Sequence, residues 1–279
     1  REIALEKVEG QWKLVRPVEA PADEPSVNNL VRAIAECEVK KRLDEVPGDL
    51  KPFGLDAPTV VIQVKLEAKA LPEIRLGRTT PVGYSAYVQR ADDPKVMLTT
   101  AAFHSGMDRQ VGDLRDKQIV RFEDADVHKI AIQGLDRDIL LAETNKEWKI
   151  ERPGSYPADA STVRSFLSAL RSMRATDFPD EDPSDLATYG LDKPRLTVAL
   201  FVGEDEDRKE VLLGNKVKDG KIYVRSSSRP TVYEVSDWVE RDLDKTLNDF
   251  RDKTVLVFDK DAITAIEMVP GAGEPFTLE

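Results

Sequence analysis

Two stretches of three adjacent charged residues are the strongest candidates for chemistry in this sequence. They are Arg115-Asp116-Lys117 and Arg251-Asp252-Lys253. Arginine binds carboxylate and phosphate groups through two parallel hydrogen bonds, so each stretch could form an anion or carboxylate site. The alternative is a structural corner, in which the arginines bind backbone carbonyls or the carboxylates of Asp56 and Asp192. Both interpretations remain open from the sequence. We favour the structural corner and expect Arg115 and Arg251 to be partly buried and hydrogen-bonded within their own domains.

Paired acids offer a different chemistry. Asp56 with Asp116, or Asp192 with Asp252, could serve as the acid and base of a hydrolase or carbohydrate-active enzyme. Such a pair needs a separation of roughly 5 to 9.5 Å and one raised pKa. The sequence contains no Ser-His-acid set, phosphate-binding glycine loop or nucleotide fingerprint with usable spacing. We therefore predict no catalytic residues and no enzyme activity, with the paired-acid enzyme as the alternative.

Metal and thiol chemistry have little support in the residues. The two histidines, His104 and His128, are replaced by Glu240 and Thr264 at the matching positions of the repeat described below. Cys37 is the single cysteine, so it cannot form an intrachain disulfide or a cysteine-based metal site. We predict no metal and no cofactor.

The sequence contains two copies of one unit, and equivalent residues of the two copies are 136 positions apart. A repeat of this length is a domain and not a solenoid unit, whose period is roughly 20 to 50 residues. We predict one copy at 1–134, a second at 135–269, and a C-terminal strand or the start of a truncated third copy at 270–279. The matches include Trp12 with Trp148, Pro21-Ala22-Asp23 with Pro157-Ala158-Asp159, Gly54-Leu55-Asp56 with Gly190-Leu191-Asp192, and the two charged stretches.

Hydrophobic periodicity predicts one main helix in each copy. Val27, Leu30, Val31 and Ile34 are spaced for one helix face, and Val163, Phe166, Leu167 and Leu170 repeat that pattern. Short alternating segments joined by short loops predict antiparallel strands around each helix. We also predict a helix at 236–248 and strands at 118–122 and 254–258. The predicted fold class is α+β, with two tandem homologous domains, each a mostly antiparallel sheet with one main amphipathic helix.

Composition limits the partners. The net charge is −11, and 41% of residues are hydrophobic and 33% charged. This balance argues against nucleic-acid binding, which needs clustered lysine and arginine. No apolar stretch approaches the ~18 residues of a membrane span. Because Ile3 and Leu5 match Ile139 and Leu141, we expect a segment upstream of this chain.

Three motifs resemble a bacterial family, the domain-of-unknown-function family 4340. They are Tyr189-Gly190-Leu191-Asp192-Lys193-Pro194, Tyr223-Val224-Arg225 and the run from Leu247 to Phe258. The first copy departs from the last motif at Leu114, Gln118 and Ile119. The resemblance covers nearly the whole chain, and no catalytic residues carry over from it.

The resemblance implies an extracytoplasmic protein anchored in a bacterial membrane by an N-terminal helix that is absent from this chain. It also implies association with gliding-motility-type transporter auxiliary proteins. The expected function is binding or scaffolding in the cell envelope. The expected partners are envelope or transporter-associated proteins, with membrane contact through the upstream anchor alone.

Overall fold

A computed structural model describes residues 2–67, 69–134, 136–256, 258–268 and 276–278. The chain divides into two compact units, Arg1–Lys117 and Gln118–Glu279, which we call unit 1 and unit 2. Antiparallel pairing dominates both units, and the predicted α+β class is confirmed. The division into copies at 1–134 and 135–269 remains a prediction, and the compact units place residues 118–134 in unit 2.

The described part of unit 1 contains ten strands, three helices and a 3₁₀ turn at Lys51–Phe53. The strands are β1 (Ala4–Val8), β2 (Gln11–Arg16), β3 (Ala20–Pro21), β4 (Lys41–Arg42), β5 (Val60–Ile62), β6 (Lys65–Leu66), β7 (Lys69–Ala70), β8 (Ile74–Thr79), β9 (Ser85–Arg90) and β10 (Met97–Thr100). The helices are α1 (Glu24–Ala35), α2 (Ala101–Met107) and α3 (Val111–Leu114).

The described part of unit 2 has eleven strands and three helices. The strands are β11 (Val127–Gly134), β12 (Arg137–Thr144), β13 (Glu147–Arg152), β14 (Tyr156–Pro157), β15 (Asp177–Asp180), β16 (Leu196–Val202), β17 (Asp207–Val217), β18 (Lys221–Ser226), β19 (Val232–Ser236), β20 (Ile266–Met268) and β21 (Phe276–Leu278). The helices are α4 (Ala160–Ser172), α5 (Trp238–Leu243) and α6 (Leu247–Phe250), and 3₁₀ turns lie at Asp124–Asp126, Ala187–Tyr189 and Lys260–Ala262.

The sheets are organised differently in the two units. Unit 2 has one nine-stranded sheet in the order β14-β13-β12-β11-β16-β17-β18-β19-β15, and a separate β20-β21 hairpin. Unit 1 has a three-stranded sheet, β1-β2-β3, a five-stranded sheet, β4-β10-β9-β8-β5, and a β6-β7 hairpin. The neighbouring strands are antiparallel.

The principal helix of each unit begins directly after an aspartate cap. Asp23 accepts a hydrogen bond from the backbone N–H of Ser26 at 3.0 Å, and Asp159 accepts one from that of Thr162 at 2.7 Å. Each cap satisfies an N–H group that the first helical turn leaves without a backbone partner. Both helices, α1 and α4, are therefore fixed at the same point of the repeat.

The apolar face of α4 is buried as predicted, whereas that of α1 is partly open. Val163, Phe166, Leu167 and Leu170 all lie in the unit 2 core. In α1, Val27 is buried, but Val31 is 44% exposed. The expectation that Val31 faces a core is therefore wrong for unit 1 as described.

Three predicted elements differ in the structure. The helix expected at 236–248 is two short helices, α5 and α6, because Asp244 ends the first and Thr246 caps the second by accepting the N–H of Asp249. Among the described residues, the segments expected to be strands at 118–122 and 254–258 form no strand, and their one β-bridge joins Gln118 to Arg174. Val257 lies outside the described residues.

In the part of the chain that the structure describes, no helix has both the length and the apolar character to cross a bilayer.

Candidate functional site

The charged stretch of unit 1 lies beside the cap of its principal helix. Arg115 forms an antiparallel bridge with Ala22. The backbone N–H of Asp116 donates to the carbonyl of Pro21 at 3.0 Å, and the N–H of Asp23 donates to the carbonyl of Leu114 at 2.9 Å. The two motifs therefore hold each other through their backbones.

Unit 2 repeats this arrangement. Arg251 forms an antiparallel bridge with Ala158. The N–H of Asp252 donates to the carbonyl of Pro157 at 3.0 Å, and the N–H of Asp159 donates to the carbonyl of Phe250 at 2.8 Å. Both duplicated motifs, Pro-Ala-Asp and Arg-Asp-Lys, thus meet at one corner that sets where the helix begins. This geometry matches the structural interpretation of the stretch.

The side chains of the two corners differ in burial. Arg115 and Asp116 are each 5% exposed, whereas Arg251, Asp252 and Lys253 are all exposed. We expected both arginines to be partly buried, and this is wrong for Arg251.

A single aromatic residue accompanies this difference. The guanidinium carbon of Arg251 lies 4.1 Å from the ring centroid of Tyr156, a cation–π contact. The position that matches Tyr156 in the first copy is Ala20. The arginine of unit 2 thus rests on a ring that unit 1 does not have.

A surface cavity of about 290 Å³ adjoins the corner of unit 2. It is lined by Asp159, Thr162, Asp249, Arg251, Asp252, Lys253 and Thr254. The cavity combines three carboxylates with two cationic side chains. An anionic ligand there would meet more negative than positive charge, which disfavours the anion-site interpretation for this corner.

Hydrogen bonds keep these three carboxylates ionised. The hydroxyl of Ser161, followed by the groups of Thr162, lowers the pKa of Asp159. Thr246 lowers the pKa of Asp249 in the same way, and Thr254 lowers the pKa of Asp252. A general acid needs a raised pKa, so these shifts supply the opposite of what the paired-acid mechanism requires at Asp252.

A second candidate surface was not predicted from the sequence. Six apolar residues near the end of the described chain, which we call the C-terminal apolar segment, are all exposed. They are Val255 (99% exposed), Leu256 (70%), Phe258 (57%), Ile263 (42%), Ile266 (49%) and Met268 (45%).

The counterparts of these six residues in the first copy are all buried. They are Ile119, Val120, Phe122, Val127, Ile130 and Ile132, and each is at most 7% exposed in the core of unit 2. The same apolar sequence pattern is therefore buried in the first copy and exposed in the second. Matching the two copies could have located the pattern, but only the structure distinguishes the two environments.

Comparison with known families identifies both halves of the chain. A model of the family described as a domain of unknown function (DUF4340) matches residues 12–147 and again residues 148–279. The chain belongs to this family. No curated protein and no solved structure matches it. Membership in DUF4340 confirms the resemblance and the tandem copies.

The other polar residues singled out in this DUF4340 chain have local partners. Nε2 of His104 lies 2.9 Å from the hydroxyl oxygen of Thr59, and Nδ1 of His128 lies 3.7 Å from a carboxylate oxygen of Glu143. The sulfur of Cys37 lies 3.3 Å from the hydroxyl oxygen of Thr99. Among the described residues, no group of three or more His, Cys, Asp or Glu side chains is placed to hold a metal ion.

Proposed function

We propose that this chain is a binding or scaffolding module that works by associating with other proteins. The observation that carries the proposal is the C-terminal apolar segment, whose six exposed positions are occupied in the first copy by core residues. Exposed apolar surface beyond singly scattered residues is typical of protein interaction sites. In the first copy, the residues with the same pattern are packed in the core of unit 2.

The charged corners support the same proposal because their residues have structural roles. Their backbones are engaged in fixing the principal helices, and the hydrogen bonds to Asp159, Asp249 and Asp252 lower the pKa of each carboxyl. These residues behave as structural caps and braces. A binding or scaffolding function requires no catalytic role from these residues.

The setting that we propose is the extracytoplasmic side of a bacterial membrane. The resemblance to the DUF4340 family, which implies an association with gliding-motility-type transporter auxiliary proteins, supports this setting, with an N-terminal helix outside this chain as the anchor. The partners proposed on the same basis are envelope or transporter-associated proteins. Contact with the membrane through the anchor alone is part of the proposal.

Affinity capture of the protein from solubilised bacterial membranes tests the proposed function. We expect Leu256→Asp to lose the proteins that copurify with the wild-type protein, because a charge replaces a 70% exposed apolar contact. The matched control is Val82→Asp, which places the same charge at an 83% exposed position of unit 1. Retention of the same partners by Leu256→Asp would contradict the proposal.

A further inference from the structure

A second surface cavity of unit 2, which we call the basic cavity, has a volume of about 400 Å³. It is lined by the segments 118–121, 207–209 and 227–229. Among these described residues, four cationic side chains, those of Arg121, Arg208, Lys209 and Arg229, accompany one carboxylate, that of Asp207. The basic cavity therefore has an excess of positive charge on a chain whose net charge is −11.

The segments that carry these cations are held in place by the core and the sheet of unit 2. Ile119 and Val120 are at most 3% exposed and belong to the core, which fixes the backbone next to Arg121. The backbone N–H of Ser227 donates to the carbonyl of Glu210, and the N–H of Glu210 donates to the hydroxyl of Ser227, both at 2.9 Å. These bonds join β17 to the turn after β18. The cavity is therefore formed before a ligand arrives, which lowers the entropic cost of binding.

The side chains of the cavity have more donor groups than their printed contacts use. Nη2 of Arg208 donates to Glu210 at 2.7 Å, and the other N–H groups of a guanidinium are further donors. Nζ of Lys209 lies 3.6 Å from a carboxylate oxygen of Asp207, which is longer than a hydrogen bond. Arg121 has contacts of its own within the protein. A ligand can therefore share the cations with their neighbours in the fold.

The basic character of the turn after β18 is absent from the matching turn of unit 1. Asp92 and Asp93 occupy the positions that match Ser228 and Arg229. Both turns connect equivalent strands, β9 to β10 and β18 to β19. Because the turn of unit 1 forms with two acids, the fold does not explain the hydroxyl and the cation of the second copy.

A phosphate monoester suits the charge and the size of the basic cavity. At neutral pH this group carries a charge of about −1.5 to −2 and has several strong acceptor oxygens. Arginine binds such oxygens in a bidentate manner, and lysine binds phosphate as a point charge. A carboxylate carries less charge and would compensate fewer of the four cations. The volume of about 400 Å³ lies within the range of roughly 300 to 1,000 Å³ that is usual for small-ligand sites.

We propose that the basic cavity of unit 2 binds the phosphate monoester group of a small molecule or of a lipid headgroup. Its four cations supply the positive charge. The hydroxyl oxygen of Ser227 accepts from the N–H of Glu210, so the O–H of the same serine can donate to the phosphate. The inference is independent of the proposed protein-binding function, because the cavity shares no residue with the C-terminal apolar segment.

Titration of the whole chain with inorganic phosphate, followed through its amide signals by nuclear magnetic resonance, tests the inference. We expect saturable shifts of the Ser227 and Ser228 amides. Arg208→Gln should weaken binding at least about tenfold, because a hydrogen bond between charged groups is lost. The side chain of Arg208 is 55% exposed, so the fold tolerates this change. The matched control is Arg152→Gln, which removes an exposed arginine of unit 2 that is paired with Asp138, and it should bind as the wild-type chain does.

A second variant adds negative charge to the cavity. Ser228→Asp should abolish phosphate binding, because it places a carboxylate beside the ligand. The matching turn of unit 1 contains Asp92 at this position, so the backbone accommodates the substitution. Thermal unfolding of both cavity variants verifies that they remain folded.

Sedimentation with vesicles distinguishes the two sources of the phosphate group. Vesicles of phosphatidylcholine with phosphatidic acid present a phosphate monoester on a surface, and vesicles of phosphatidylcholine alone are the control. Saturable binding of inorganic phosphate supports a soluble ligand. Binding of the phosphatidic acid vesicles without a response to inorganic phosphate supports a lipid headgroup, provided that Ser228→Asp abolishes it.

Three results would overturn the inference. The first is a chain that binds neither inorganic phosphate nor the phosphatidic acid vesicles. The second is binding that Arg208→Gln and Ser228→Asp leave unchanged. The third is an equal loss of binding in Arg152→Gln and Arg208→Gln, because binding would then follow the net charge of the chain and not the basic cavity.

Discussion

At the residue scale, the two corners differ in what their arginines do. The backbone pairing is the same in both units, but Arg115 is buried and Arg251 is exposed on Tyr156. The comparison of the two copies identified the charged stretches and the caps as fold positions. It could not reveal this difference, which depends on the side-chain surroundings and on an exchange of Ala20 for Tyr156 outside both motifs.

We predict that Arg115→Ala destabilises the protein more than Arg251→Ala. Truncating a buried polar side chain so that its partner is left unsatisfied costs about 1 to 3 kcal/mol, whereas an exposed cation–π contact contributes about 0.5 to 1 kcal/mol. Arg208→Ala is the control, because Arg208 is an exposed arginine paired with Glu210 and such pairs contribute under ~1 kcal/mol. Calorimetric unfolding of the three variants measures the order. Equal, small shifts for all three would mean that the corner of unit 1 is not a structural brace.

At the element scale, the 3₁₀ turn and the strand beside it impose a glycine in both units. A Cβ atom at Gly77 of β8 would lie 2.2 Å from the carbonyl oxygen of Phe53, and one at Gly214 of β17 would lie 2.2 Å from that of Tyr189. The backbone of the turn approaches the strand too closely for any side chain. This contact explains why the Leu-Gly pair survives in both copies.

We predict that Gly77→Ala lowers the free energy of unfolding by about 2 to 3 kcal/mol, because the turn must move away from the added methyl group. The matched control in the same unit is Gly106→Ala in α2, where a Cβ atom would meet nothing within 4 Å. That change should be neutral or stabilise the protein by up to ~1 kcal/mol, since alanine favours a helix. Chemical denaturation compares the two variants. A Gly77→Ala protein as stable as Gly106→Ala would show that the turn can move away from the added methyl group without loss of stability.

The elements predicted best are those with local signals. An aspartate cap followed by a helical apolar stripe located α1 and α4, and alternating residues with short turns located most strands. The segment at 118–122 is predicted as a strand because it is the copy of the strand predicted at 254–258. In the structure Ile119, Val120 and Phe122 are buried without a ladder, so burial and not strand pairing explains their apolar character. The break between α5 and α6 had a readable signal in Thr246 and Asp249, which form a capping box.

At the scale of the whole molecule, residues 118–134 belong to the second compact unit although they precede the second copy as predicted from the sequence. Ile119, Val120 and β11 complete the core and the sheet of unit 2. We predict that a fragment of residues 118–279 folds, whereas a fragment of residues 135–279 has poorly dispersed amide signals in solution. Nuclear magnetic resonance spectra of the two fragments provide the measurement. A well-dispersed spectrum from the shorter fragment would show that β11 is dispensable.

The two neighbours of β11 in the sheet become available for pairing at different times during translation. β11 and β12 are neighbours in sequence and can form a hairpin as soon as both have left the ribosome. The second neighbour, β16, begins about 60 residues after β11 ends, which takes roughly 3 to 12 s at the usual rate of translation. During that interval each nascent chain displays an apolar strand with one bare edge. An unpaired apolar strand edge is a template for pairing with another chain, so during this interval the nascent chain is exposed to intermolecular strand pairing until β16 covers the edge.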